Sequence, residues 1–142
     1  MIKTNLFNKS DLLINSDSIN DLVKLILTNY KYTSANINII ITDDDTLRKM
    51  KKKYFNKNIF TDVIAFNIDN NPFEGEIYIS YHRIKDNAIK FNQSFEDEFK
   101  RVLIHGLLHL CGYEDSTNEE KINMSSMEDK FLEEFHESVM KI

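Results

Sequence analysis

His105-Gly-Leu-Leu-His109-Leu-Cys-Gly112-Tyr-Glu-Asp115 is the stretch on which the reading of this chain turns. Histidines four apart on a helix share one face, with Cβ atoms about 5–6 Å apart. A zinc ion takes nitrogen ligands at about 2.0–2.1 Å, so both imidazoles can reach one ion. Gly112 stands where a glycine can end the helix in a left-handed turn and fold the chain back. Asp115 then reaches the same ion, with Glu114 as the alternative by spacing. Three protein ligands and an open fourth position describe a catalytic metal site rather than a closed structural one.

The segment around these residues is apolar on nearly every side, through Val102, Leu103, Ile104, Leu107, Leu108 and Leu110. Such a helix is expected to be buried. Unpaired polar groups there cost about 1–3 kcal/mol each, so the two imidazoles need partners. Gly106 costs about 1 kcal/mol relative to alanine in a helix. Its missing side chain is expected to admit substrate or another backbone element. The spacing also overlays the zinc-peptidase signature His-Glu-x2-His-x2-Gly-x2-His, in which the glutamate is the general base. Gly106 occupies that position, which points to metal geometry and away from peptide hydrolysis. Cys111, two residues after His109, is expected to point away from the histidine face, and His136 reads as a surface residue.

Outward from this motif the chain reads as one α+β domain spanning residues 1–142, with about four strands in a mixed sheet against about five helices. A weak first strand lies within Thr4–Ile14. Ser16-Asp-Ser caps a helix with Ile19, Leu22, Val23, Ile26 and Tyr30 inward. Ile37–Thr42 is a β-branched strand ended by Asp43-Asp-Asp, which caps a helix turning Leu47, Met50 and Tyr54 inward. Val63–Ile68 and Glu76–Ser80 read as strands joined by a loop over Asn70–Gly75. A helix from Ser80 to about Phe91 buries Ile84, Ala88 and Phe91. Ser94 caps the metal-site helix, Phe95 to about Cys111. Thr117-Asn-Glu-Glu120 is a capping box, opening a last helix with Met124, Met127, Phe131, Phe135 and Val139 on one stripe.

Hydrophobic residues at 42%, charged residues at 29% and a net charge of −5 fit an ordinary soluble protein whose main task is not holding nucleic acid. No apolar run approaches the roughly 18 residues of a membrane helix. With no signal-peptide stretch and a single cysteine, the chain is expected in the cytosol. Charge is uneven, since Arg48, Lys49, Lys51, Lys52, Lys53 and Lys57 crowd into ten residues. Alone that run reads as a solvated helix face, although a basic patch can guide a polyanion even on an acidic protein.

His105-Gly-Leu-Leu-His109-Leu-Cys-Gly112-Tyr resembles the His-Gly-x-Leu-His-Leu-x-Gly-Tyr signature of the YbeY proteins, bacterial metal-dependent endoribonucleases and ribosomal RNA maturation factors. Tyr54, Lys57 and Thr61-Asp-Val-Ile-Ala-Phe66 are similar to that family's Tyr-Arg-x-Lys-x-x-x-Thr-Asp-Val-Leu-Ser-Phe segment. Gly75-Glu-Ile-Tyr-Ile-Ser80 is similar to its Gly-Asp-Ile-x-Ile segment. The likeness covers roughly residues 35–135.

The resemblance implies one divalent ion, zinc by preference, on His105, His109 and Asp115. It also implies cleavage of single-stranded RNA during maturation of the small-subunit (16S) ribosomal RNA 3′ end and in ribosome quality control. The small subunit or its proteins are the implied partners. RNA contacts are expected at Lys52, Lys53, Lys57 and Thr61, and Asp62 and Glu98 are candidates for the general base. Two positions depart from the pattern. Asp115 replaces a histidine, and its charge is expected to make a bound water less acidic. Phe55 replaces an arginine that contacts phosphate, leaving that task to Lys52, Lys53 or Lys57. Two other readings compete: an assembly factor with a purely structural metal, and a metallopeptidase.

Overall fold

The computed structural model describes residues 1–141. Elements follow in the order β1 (Ile2–Asn8), α1 (Ser16–Asn29), β2 (Ala35–Thr42), α2 (Asp44–Phe55), β3 (Val63–Asn70), β4 (Phe73–Ser80), α3 (Tyr81–Lys90), α4 (Phe95–Leu110) and α5 (Asn118–Glu134). One four-stranded sheet has the order β1-β2-β4-β3. Its first two pairings are parallel and β3 runs antiparallel to β4 along the edge.

Alternation decides what each face of the sheet meets. Ala35, Ile37, Ile39 and Ile41 of β2 and Phe73, Ile77 and Ile79 of β4 are buried together. They form one core with Ile19, Leu22, Val23 and Ile26 of α1 and the apolar positions of α4. Tyr78 and Ile64 point the other way, as partners across β4 and β3. Rings at the end of α2 meet Phe66 and Phe66 meets Tyr78 on that second face. Thus α4 and the end of α2 approach the β3 edge from opposite sides. Among the described residues no helix is long and apolar enough to cross a membrane.

Local chemistry sets the helix starts. Asp43, Ser80 and Ser94 each accept a backbone N–H of the first turn of α2, α3 and α4, and Thr117 with Glu120 forms a capping box on α5. For α1 the cap is Asn15, whose side chain accepts from Ser18, rather than Ser16.

Other expectations need correction. Asn70–Gly75 is not a loop: pairing with β3 draws Phe73 and Gly75 into β4 and leaves Asn71-Pro72 as the turn. Gly75 fits because a Cβ there would lie 2.7 Å from Leu110 Cδ1. Tyr54 and Phe91 stay exposed at the ends of their helices, and Met50 is only half-buried because α2 rides on the surface with Leu47 its one buried residue. Helix α5 stops at Glu134, so Phe135 and Val139 enter the core from the segment beyond it.

Candidate metal centre and its cleft

Helix α4 buries Val102, Leu103, Ile104, Leu107, Leu108 and Leu110, and leaves His105 and His109 partly exposed on the one remaining strip. Their rings meet edge-on, and the two Nε2 atoms are 3.0 Å apart. The neighbour of Gly106 is the sheet, neither substrate nor backbone: a Cβ there would meet Ile77 Cγ2 at 3.0 Å and Val63 Cγ2 at 3.1 Å. The missing side chain therefore lets α4 sit close on β3 and β4.

At the end of α4 the chain turns sharply. Gly112 N–H donates to the His109 carbonyl, Tyr113 N–H donates to the Leu108 carbonyl, and Gly112 has φ +101°. This is the Schellman pattern, in a conformation that favours glycine. The turn returns Asp115 to the histidines, with Oδ2 3.2 Å from His105 Nε2 and 3.4 Å from His109 Nε2.

Hydrogen bonds on the far side of each ring assign the tautomers. His109 Nδ1 donates to the Tyr113 carbonyl at 2.9 Å, and His105 Nδ1 donates to Glu128 Oε2 at 2.5 Å. Glu128 is 5% exposed, and its other oxygen accepts from Arg101 Nη1 at 3.1 Å. The Tyr113 ring is held in turn by a 2.8 Å bond from the Tyr30 hydroxyl. Both Nε2 atoms therefore present lone pairs toward each other and toward a carboxylate oxygen. Three acceptors converge with no donor between them, an arrangement that calls for a cation. A tetrahedron with bonds of about 2.0–2.1 Å has edges of about 3.3–3.4 Å. The observed separations of 3.0, 3.2 and 3.4 Å fit that size. Without an ion, burial draws the His105 pKa down, but the Glu128 hydrogen bond and charge outweigh it and the net shift is upward.

These atoms open into a cleft of roughly 460 Å³ over the β3 edge, shared with Thr61, Asp62, Lys51 and Phe55. Asp62 Oδ2 accepts from Asn87 Nδ2 at 3.2 Å. Burial raises its carboxyl above the ordinary range, partly offset by His105. Glu98 is buried in the first turn of α4 and lines a separate cavity with Arg101 and His136. Burial, then the charge of Asp62, raises its pKa as well. Lys52, Lys53 and Lys57 are exposed and do not line the metal cleft, whereas Lys51 does. Glu114 lines the same cleft, but the carboxylate oxygen within reach of both rings is that of Asp115. Cys111 stands outside the cluster, and burial pushes its thiol up to about 12. His136 is exposed beyond the end of α5.

Residues 5–136 match the family model described as Endoribonuclease YbeY. The chain belongs to the YbeY family. It is 39% identical over 135 residues to an Endoribonuclease YbeY of Christiangramia forsetii, spanning 93% of this chain and 94% of that one. With the Endoribonuclease YbeY of Flavobacterium johnsoniae it shares 38% over 125 residues, 87% of this chain and 90% of the relative. A solution structure of a Thermotoga maritima protein superposes with a TM-score of 0.65 at 27% identity, over 95% of this chain and 89% of that one.

Within this YbeY chain, the sequence does not single out Glu128 or Arg101, and it offers Lys51 only as one of six residues in the basic run. Glu128 had a readable signal: it lies four residues after Met124 and three before Phe131, so a carboxylate stands on the buried stripe of α5.

Proposed function

We propose that this YbeY family member is a metal-dependent endoribonuclease that cuts single-stranded RNA and acts in the cytoplasm on the 3′ end of small-subunit ribosomal RNA and in ribosome quality control. The observation that carries the reading is the convergence of His105, His109 and Asp115 acceptor atoms in an open cleft whose other side bears Lys51. Two nitrogens and one carboxylate oxygen suit zinc. Such an ion supplies Lewis-acid polarisation of a phosphoryl oxygen or of a water.

The remaining work falls to side chains. Glu128 and the Tyr113 carbonyl hold the two imidazoles in one tautomer and orientation, so no reorganisation is needed when substrate arrives. Lys51 draws a phosphate to the cleft and offsets the negative charge of Asp62, Glu114 and Asp115. Asp62 lines the cleft and Glu98 does not, which favours Asp62 as the group that accepts or returns a proton. Its raised pKa brings it nearer the working range of a general base. With Gly106 in place of a peptidase glutamate, peptide hydrolysis lacks its base.

The test is incubation of purified, zinc-loaded protein with single-stranded and fully paired RNA, with His105→Ala beside it. Cleavage of the single strand alone, lost in the variant, is the expected result. Equal cleavage by both proteins, or none by either, would sink the reading.

A further inference from the structure

Tyr54, Phe55, Ile59 and Phe60 fall within seven residues and each is at least 42% exposed. Single exposed apolar residues are ordinary, but four so close together, one of them on the wall of the metal cleft, are not. Phe55, the last residue of α2, lines the metal cleft. Lys51 Nζ lies 4.5 Å from its ring centroid. On β3, the Phe66 ring is 6.0 Å away and inclined by only 20°, so the two rings are nearly parallel. Tyr54 and Tyr78 brace Phe66 edge-on, at 5.3 Å and 5.9 Å. These two tyrosines continue into a neighbouring groove of roughly 370 Å³ lined also by Lys49 and Lys53. Lysines and aromatic rings thus alternate from the metal cleft across the end of α2.

We propose that Phe55, backed by Phe66, is a stacking platform for one base of a single-stranded RNA, with Lys51 and Lys53 holding the phosphates on either side. The assignment rests on the RNA-cleaving reading above and names how that substrate is held. Every base has a π-face, so a ring beside cations grips single strands with little sequence preference. Bases stacked in a duplex are not available to it. The same feature therefore selects unpaired RNA, independently of the metal. Charge complementarity favours this occupant, since Lys51 lines the cleft beside Phe55 and Lys49 and Lys53 line the neighbouring groove.

The experiment is fluorescence anisotropy of a labelled single-stranded RNA with the full chain in chelator, so that binding is read apart from cleavage. Phe55→Ala should weaken binding about tenfold. Phe55→Leu, which keeps apolar bulk without a ring, should weaken it similarly, and Phe55→Trp should restore it. Duplex binding should not change. An abasic site moved along the strand should cost wild type affinity at one position and cost Phe55→Leu nothing there. If Phe55→Leu binds as wild type does, or if duplex and single strand weaken equally, the platform is overturned and the exposed rings belong to a protein partner. If wild type cleaves single-stranded RNA while Phe55 variants bind normally, this inference alone fails. If wild type neither binds nor cleaves RNA, both readings fall.

Discussion

The two walls of the cleft are built on opposite terms. On the α4 wall the two candidate metal-binding imidazoles are held from behind, His105 by Glu128 and His109 by the Tyr113 carbonyl, and a glycine turn brings Asp115 to them. On the α2 wall a single residue of the helix, Leu47, is buried, and the functional side chains rest mainly on each other through cation–π and ring contacts. A metal site requires donor atoms fixed to a few tenths of an ångström, so it is set into the core and supported from behind. A wall that receives a flexible polymer gains from reach and charge, and long solvated side chains supply both.

The difference predicts unequal sensitivity. Replacing both histidines, His105→Ala with His109→Ala, should abolish metal binding and cleavage together. Expressed in a strain lacking its own family member, that protein should leave ribosomal RNA unprocessed; restored processing would show that an assembly role suffices. One step out, Glu128→Gln should weaken metal affinity by about 10–100-fold without loss of helix content, as read by a competitive zinc titration. An unchanged affinity would mean that His105 needs no support from behind.

Substitutions in the basic run, of which Lys51 lines the cleft and the others lie outside it, should be graded and salt-dependent. Lys51→Ala, Lys52→Ala, Lys53→Ala and Lys57→Ala, made singly, should each lower single-strand affinity modestly. Each residue that contacts a phosphate should also flatten the slope of log affinity against log salt by about 0.7. The cleft geometry predicts the clearest change for Lys51. A flat result across all four would remove the basic wall from the account.

The smallest effect concerns stability. A carboxyl whose pKa is raised on folding contributes stability that is present below the unfolded value and lost as pH rises through the folded one. Asp62 is raised by burial, so it weakens the fold at neutral pH. Asp62→Asn should raise the melting temperature at pH 7–8, leave it unchanged near pH 3, and reduce cleavage. Equal melting curves at neutral pH would show that Asp62 is well solvated.

Much of the α4 wall was legible because its chemistry is local. The spacing of His105 and His109, the glycine at 112 and the aspartate three residues later all fall within eleven positions. The side-chain caps on four of the five helices were equally local. Distant contributions were not. Glu128 reaches His105 from a helix 23 residues away, and only a carboxylate on an apolar stripe announced it. Phe73 and Gly75 looked like loop because Asn-Asn-Pro precedes them, whereas pairing with β3 and the approach of Leu110 make them strand. The choice among lysines depended on which side of α2 faces the β3 edge, a tertiary fact that six basic residues in a row of ten could not reveal.

The central claim is that His105, His109 and Asp115 form one metal site on which cleavage depends. Protein purified without an affinity tag should carry about one divalent ion per chain, lose both ion and single-strand cleavage to a chelator, and regain cleavage when zinc is restored. Undiminished cleavage by metal-free protein, or an ion still bound to the Asp115→Ala, His105→Ala protein, would contradict it.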